Sequence, residues 1–167
     1  MARLSLKRAV IVLIAIIVIV MLAWMLTRQT AVSSDSFTTL SGEKIRLQKL
    51  RGKIVLVTFW ATSCPACIKE MPDLIQTYQK YHERGFEIIA VAMSYDSLQY
   101  VKAFTTKNKL PFSVVWDADG QLAKSFDGVR LTPTAFLIGK DGNLISQTIG
   151  IIDFSKFHAV LNSALLE

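Results

Sequence analysis

The chain has 167 residues, of which 51% are hydrophobic and 19% charged, and its net charge is +6. This length fits one domain of ordinary size. The chain has no dense run of Lys and Arg interleaved with aromatic residues, so its positive charge gives little support for nucleic-acid binding.

An apolar segment lies close to the N-terminus. Residues 9–26 carry no charged side chain and approach the roughly 20 apolar residues that span a bilayer as a helix. Most of the basic residues that flank this segment precede it. Because basic residues mark the cytoplasmic end of a membrane helix, residues 1–8 are predicted to be a cytoplasmic basic tail, with the later part of the chain outside the cytoplasm.

A cleaved signal peptide is the main alternative for this segment. Such peptides have a shorter apolar stretch, of about 7 to 15 residues, that ends in a small-x-small cleavage site. Residues 24–26, Trp-Met-Leu, are a poor place to cut, and a buried core helix is less favoured still. We therefore expect an uncleaved transmembrane signal-anchor at 9–26, a polar linker at 27–36 and a folded domain at 37–167.

The folded domain opens with a predicted hairpin and a buried strand. Residues 37–50 place a turn at 41–42, with Leu47 and Leu50 facing inward. The continuous apolar and β-branched run at 54–60 is typical of a strand that is covered on both faces.

Helices and strands alternate after this strand. Apolar residues at helical spacing predict a helix that opens at Pro65 and stops at Gly85. The later predicted elements are a strand at 86–93, a helix at 97–108, a strand at 112–117, a short helix at 120–126, a hairpin of strands at 134–139 and 143–150, and a helix at 153–166. This order predicts an α/β fold with mostly parallel central strands, finished by an antiparallel pair.

The two cysteines lie where the buried strand meets the helix. Cys64 follows the strand, and Pro65 takes the first helical turn, where its missing N–H costs nothing. The Cys64 sulfur is therefore expected at a helix N-terminus. The helix dipole and the N–H groups of Ala66 and Cys67 would favour its thiolate, which is the attacking form of cysteine.

Cys67 lies one helical turn further on, which suits a shielded resolving thiol. In that arrangement Cys64 attacks a substrate disulfide, and Cys67 then attacks the mixed disulfide and releases the product. Glu70 follows on the same helical face and is predicted to take the proton of Cys67 directly or through water. A glutamate in a first helical turn is also commonplace.

A structural disulfide and a zinc site are both less favoured roles for the cysteine pair. A structural disulfide between residues this close would add little entropic stabilisation. A zinc site needs more ligands, and His82 and His158 lie in predicted helices among polar neighbours, where we expect them to be solvated. We expect no cofactor beyond the redox-active Cys64–Cys67 disulfide.

Three parts of the sequence together resemble the TlpA/ResA group of membrane-anchored, thioredoxin-like thiol:disulfide oxidoreductases, including the TlpA-type proteins of Gram-negative bacteria. They are FWATSCPACIKEMP at 59–72, a βαβ segment near 86–116, and LTPTAFLIGKDG at 131–142. The resemblance extends from about Phe37 to the C-terminus. It implies a thioredoxin-like fold with an N-terminal hairpin and an inserted βαβ element, preceded by one transmembrane helix.

The resemblance also implies a client-binding surface around the cysteines. Pro133 matches the position of a cis-proline loop that faces them, whereas the residues alone would favour an ordinary trans proline there. Thr132, just before it, would lend backbone groups to a client strand. Trp60 and Pro65 are expected to contribute to the same surface.

Departures from related sequences refine these expectations. Ser63 stands where many relatives have Trp, which predicts a smaller and more polar rim. Thr58 stands where thioredoxin has a buried aspartate, so Glu70 would take the role of base. The Pro65-Ala66 pair lacks the histidine of DsbA-type oxidases, and losing that positive partner should raise the thiol pKa and make the couple more reducing.

Together these features predict a single-pass protein of the inner membrane with a periplasmic reductase domain, acting as a monomer. Its clients would be disulfide-containing exported proteins such as apo-cytochrome c or copper-site assembly proteins, and a DsbD/CcdA-like membrane protein would supply electrons. A disulfide oxidase or isomerase is one alternative. A thiol peroxidase is another, although Ala61 occupies the place of the threonine expected there. A binding module with idle cysteines is the third.

Overall fold

A computed structural model of the protein describes residues 12–21 and 36–166. Residues 12–21 are helical, and their large apolar side chains are exposed. Within these two ranges, no helix combines the length and the apolar character needed to cross a membrane. The predicted basic tail at 1–8, the ends of the predicted anchor and nearly all of the predicted linker lie outside the described residues.

The folded domain contains the predicted elements with small shifts at their ends, except that residues 47–50 of the predicted hairpin segment form a 3-10 helix. In chain order they are β1 (Phe37–Thr38), β2 (Lys44–Ile45), a 3-10 helix (Leu47–Leu50), β3 (Ile54–Trp60), α1 (Pro65–Tyr81), a 3-10 turn (His82–Arg84), β4 (Phe86–Ala92), α2 (Leu98–Lys107), β5 (Ser113–Trp116), α3 (Gln121–Ser125), β6 (Thr134–Ile138), β7 (Leu144–Ile149) and α4 (Phe154–Leu166).

The main sheet has the strand order β5-β4-β3-β6-β7. Strand β3 is parallel to β4, and β4 is parallel to β5. Strands β6 and β7 complete the sheet in antiparallel pairing. The prediction of a parallel centre finished by an antiparallel pair is therefore confirmed, and β1 and β2 form the expected separate hairpin.

Strand β3 is buried along its whole length because both faces of the sheet are covered. Its residues alternate between two apolar clusters, as the twofold period of a strand requires. Leu56 and Trp60 face the cluster formed with α1, α2 and α4. Val57 faces the opposite cluster, against which Leu47 and Leu50 of the 3-10 helix pack, as the sequence predicts.

Helix α1 begins at Pro65, as predicted, and regular α-helix ends at Tyr81. The chain then continues as one 3-10 turn to Gly85, which adopts φ = 92°. This left-handed conformation favours glycine because it has no Cβ. Gly85 thus ends the helical segment at the predicted residue and turns the chain into β4.

Helix α4 packs against α1 through both apolar and polar contacts. Leu161 is fully buried. The Thr77 hydroxyl lies 2.9 Å from His158 Nε2, and the His158 ring packs on Tyr81 at a centroid distance of 5.4 Å. The expectation that His158 is solvated is therefore wrong: the side chain is half-buried at the helix interface, and burial lowers its pKa from the ordinary value. His82 is exposed, as expected.

The lowered pKa of His158 predicts a pH-dependent stability. As the pH falls below 6.5, the unfolded chain takes up this proton before the folded protein does, so the free energy of unfolding decreases. Urea unfolding between about pH 7.5 and 5.5 measures the slope of stability against pH, and His158→Gln should remove the part of the wild-type slope that comes from this loss. The same substitution at His82 is the matched control. Equal slopes for all three proteins would contradict the prediction.

Candidate active site

The Cys64–Cys67 pair forms a disulfide at the start of α1, with its Cα atoms 5.3 Å apart. Cys64 is the N-cap residue of the helix, and the Cys67 N–H donates to Cys64 Sγ at 3.1 Å. Of the two amides expected as donors, that of Cys67 makes this bond. Cys64 is partly exposed, whereas Cys67 is only 2% exposed. An incoming disulfide can therefore reach Cys64, and Cys67 is shielded.

The loop before β6 faces the disulfide. The carbonyl oxygen of Thr132 lies 3.5 Å from Cys64 Sγ, and the Thr132–Pro133 peptide bond is cis, as the resemblance implies. Phe59 pairs with Thr134 in the antiparallel β3–β6 ladder, which brings the end of β3 beside the start of β6. The structure therefore brings Thr132 and Pro133 to the cysteines across the sheet.

Glu70 is a buried carboxyl on α1, only 2% exposed. Its Oε2 accepts a hydrogen bond from the N–H of Ile152, in the segment before α4, at 2.8 Å. Burial raises its pKa, the bond from Ile152 lowers it in part, and the nearby charge of Asp73 raises it further. A carboxyl with a raised pKa can take up and return a proton closer to neutral pH than an ordinary glutamate can.

Trp60 does not lie on the surface that a client could touch. Its side chain is 1% exposed and packs on Phe104 at a centroid distance of 5.2 Å, so the prediction that it binds clients directly is wrong. As the last residue of β3, it points into the cluster beneath α1 and α2. Pro65, by contrast, is exposed beside Cys64.

Thr58 lies on the same buried face of β3 as Trp60. Its hydroxyl and the Trp60 indole N–H are both buried without a hydrogen-bond partner among the described residues. A neutral hydroxyl cannot replace a carboxylate as a base. Glu70 is a buried carboxyl three residues after Cys67 on α1, and its expected role as the base stays a prediction.

The loop between β4 and α2 adds two residues that the sequence pattern does not single out. Asp96 is 6% exposed, and its carboxylate accepts hydrogen bonds from the N–H and the hydroxyl of Thr62. The Tyr95 hydroxyl lies 3.2 Å from the Thr132 hydroxyl. The sequence could have indicated these two residues only through the topology. The carboxyl ends of neighbouring parallel strands meet at one edge of a sheet, so the loop after β4 lies beside the loop that carries the cysteines.

Comparison with known proteins agrees with this architecture. Residues 29–147 match the model of the AhpC/TSA family. The chain is 42% identical to the thiol-disulfide oxidoreductase ResA of Bacillus thuringiensis subsp. konkukian over 113 residues, which are 68% of this chain and 64% of that protein. It is 34% identical to ResA of Bacillus subtilis over 122 residues, 73% of this chain and 67% of that one. The chain thus spans less than two thirds of the first of these relatives.

Solved structures show the same fold. A thiol:disulfide interchange protein of the thioredoxin family from Chlorobium tepidum matches with a TM-score of 0.75 and 29% identity, over 83% of this chain and 98% of that one. StoA from Bacillus subtilis matches with a TM-score of 0.65 and 28% identity, over 74% and 92%. The fold is therefore thioredoxin-like, and the chain belongs to the AhpC/TSA family and, within it, to the ResA/TlpA type.

Proposed function

We propose that the protein is a thiol:disulfide oxidoreductase that reduces disulfides in exported client proteins. The observation that carries this proposal is the asymmetry of the cysteine pair. Cys64 is partly exposed and caps a helix, while Cys67 is buried one turn away and bonded to it. The ResA relatives are thiol-disulfide oxidoreductases by name, which supports thiol-disulfide exchange at this pair.

The reaction begins from the reduced dithiol. The Cys64 thiolate attacks one sulfur of a client disulfide, forms a mixed disulfide and releases the other client sulfur as a thiolate. The Cys67 thiolate then attacks Cys64 Sγ, which closes the Cys64–Cys67 disulfide and releases the second client thiol. The client gains two electrons and two protons, and the protein loses them.

Glu70 has the properties of the base for the second step. Cys67 is buried, so its thiol needs a nearby proton acceptor before it can attack. Glu70 follows Cys67 by three residues on the same helix and is itself buried, so proton transfer directly or through water avoids bulk solvent. The Ile152 N–H stabilises the charged form of its carboxyl.

The exposed surface beside Cys64 supports binding of an extended client segment. The Thr132 carbonyl lies next to the sulfur, and Pro65, the next residue in the chain, is exposed. In this proposal the backbone at Thr132 pairs with the client strand. Ser63 is exposed at the rim and leaves more space there than a tryptophan would.

The proposed location is the periplasmic face of the inner membrane. Residues 9–26 are apolar and uncharged, and the basic residues that flank them lie mainly on the N-terminal side, which supports a single-pass anchor with the catalytic domain outside the cytoplasm. A DsbD/CcdA-like membrane protein would return electrons to the disulfide. Clients of the cytochrome c or copper-site assembly type fit a monomeric reductase at this location.

The reduction potential tests the direction of electron flow. The Pro65-Ala66 pair offers no cationic side chain to stabilise the Cys64 thiolate, so we expect a reducing couple, on the order of −270 mV as in thioredoxin. The full chain in mild detergent is equilibrated against dithiothreitol or glutathione buffers, with the buried Trp60 as a fluorescence probe. A potential near −120 mV, on the order of that of DsbA, would contradict reduction and indicate an oxidase.

Assays of the wild type separate the remaining functions. We expect the reduced protein to cleave insulin disulfides with dithiothreitol as the electron source and to consume no hydrogen peroxide. Peroxide turnover that requires Cys64 would indicate a peroxidase instead. Absence of insulin reduction, with the disulfide still open to dithiothreitol, would indicate a binding module.

Cys67→Ser should trap clients as mixed disulfides. With the resolving thiol removed, the first attack by Cys64 still occurs but the adduct has no internal route to release. Non-reducing gel electrophoresis after incubation with a periplasmic extract should show adducts that dithiothreitol reverses. Cys64→Ser is the matched control and should form none. Adducts with Cys64→Ser but not with Cys67→Ser would reverse the two roles.

Glu70→Gln should slow resolution roughly a hundredfold and leave the first attack largely unchanged. In the wild type, the resolution rate should rise with pH as the Glu70 carboxyl, whose pKa burial raises, loses its proton and becomes a base. The variant should lack this rise. Stopped-flow fluorescence with a disulfide peptide separates the two steps, and Glu83→Gln, at an exposed carboxyl, is the control. An unchanged resolution rate would assign the proton to another acceptor.

A further inference from the structure

A buried carboxylate holds the loop that carries Cys64. Asp96 Oδ2 accepts the Thr62 N–H at 2.5 Å, and Asp96 Oδ1 accepts the Thr62 hydroxyl at 2.7 Å. The side chain is 6% exposed. Hydrogen bonds to an ionised acceptor are stronger than those between neutral groups, so this two-point contact fixes Thr62 firmly.

The backbone of Asp96 is itself tied to the sheet. Its N–H donates to the Met93 carbonyl at 3.0 Å, and the Trp116 indole N–H donates to the Asp96 carbonyl at 3.0 Å. Met93 follows β4, and Trp116 is the last residue of β5. The carboxylate is therefore held by the βαβ segment and reaches across to the loop after β3.

Thr62 is two residues before the nucleophile. Between them the chain turns, with the Cys64 N–H donating to the Ala61 carbonyl at 3.2 Å. This turn sets where Cys64 Sγ lies relative to the Cys67 N–H and the Thr132 carbonyl, which are 3.1 and 3.5 Å away. A small displacement of Thr62 would change both contacts.

We propose that Asp96 is a positioning residue for Cys64. Its carboxylate does not contact the sulfur; it fixes Thr62 and thereby holds Cys64 close to Cys67 in the geometry that closes the disulfide. The role rests on the proposed redox function of the pair, yet it acts on the disulfide equilibrium itself and can be measured without a client.

Loss of this contact has a defined thermodynamic consequence. Two thiols held in the right geometry have a high effective concentration, which favours the disulfide over the dithiol. Releasing the loop lowers that concentration, so the disulfide becomes easier to reduce. We expect about a tenfold fall in the equilibrium constant for closing the disulfide in Asp96→Ala, which makes the potential about 30 mV less negative.

A second buried aspartate provides a matched control. Asp117 is 2% exposed and accepts hydrogen bonds from the N–H groups of Leu122 and Ala123 at the start of α3. Like Asp96, it holds two donors with a buried carboxylate, but its partners belong to α3 and not to the cysteine loop. Asp117→Ala should lower stability and leave the potential unchanged.

The experiment compares the full-length wild type with Asp96→Ala, Asp96→Asn and Asp117→Ala in the same detergent. Each is equilibrated against dithiothreitol buffers, and urea unfolding gives its stability. Asparagine can accept the Thr62 N–H and donate to the Thr62 hydroxyl, so Asp96→Asn should keep the wild-type equilibrium within about twofold. A shift in Asp96→Ala that Asp117→Ala lacks and Asp96→Asn restores would support the positioning role.

Equal potentials for Asp96→Ala and Asp117→Ala would overturn the proposal, whatever their stabilities. If Asp96→Ala does not fold, Thr62→Val and Thr62→Ser provide the test. Thr62→Val removes only the hydroxyl bond and should lower the equilibrium constant for closing the disulfide about threefold. Thr62→Ser keeps the hydroxyl and should leave that constant unchanged. Equal values for these two would also overturn it. A wild type that reduces no client would contradict the proposed function, while the comparison of potentials would still test Asp96.

Discussion

The candidate active site depends on a helix whose N-cap residue is a cysteine. Cys64 occupies the N-cap position of α1, where Ser, Thr, Asp or Asn usually supplies an oxygen to the free N–H groups of the first turn. Here the Cys67 N–H donates to Cys64 Sγ instead. Because α1 begins at Pro65, Cys64 comes directly before the first helical residue, and its sulfur lies at the helix N-terminus. The same geometry leaves one cysteine partly exposed and buries the other, and the proposed roles in attack and resolution rest on this difference.

The buried carboxyls of the folded domain have different roles. Asp96 and Asp117 each accept two hydrogen bonds, so burial of their charge is compensated and each fixes a loop or a helix end. Glu70 accepts the Ile152 N–H, and burial outweighs this bond and raises its pKa. Because that bond compensates the buried charge only in part, the Glu70 carboxyl is easier to protonate than an ordinary glutamate. This property suits a group that exchanges protons.

Much of the fold can be predicted from the sequence, because the apolar period and the turn residues agree. The run at 54–60 is long and β-branched enough to indicate a strand covered on both faces, and Gly85 marks the end of α1. The place of Trp60 is harder to predict. Proximity to the cysteines suggests exposure, but β3 is covered on both faces up to its last residue, so the ring is buried. Nearness in the chain to a reactive residue therefore does not place a side chain on the surface.

Contacts between distant elements cannot be predicted from the sequence pattern. No neighbouring residue in the chain distinguishes Asp96. Its contact with Thr62 forms only because β4 lies parallel to β3. The prediction for His158 is wrong for a similar reason, since its partner Thr77 is 81 residues away. The cis bond at Pro133 can be expected only through the resemblance, because proline alone favours trans.

The residues that meet at Cys64 come from very different distances along the chain. Cys64 and Cys67 are 3 residues apart, whereas Cys64 and Thr132 are 68 residues apart and meet only through the pairing of β3 with β6. Non-local strand pairing forms later than contacts within a helical turn. During synthesis from the N-terminus, the cysteines leave the ribosome well before Thr132 does. Each new molecule therefore carries its thiol pair before it has the loop to which the proposed function assigns client binding.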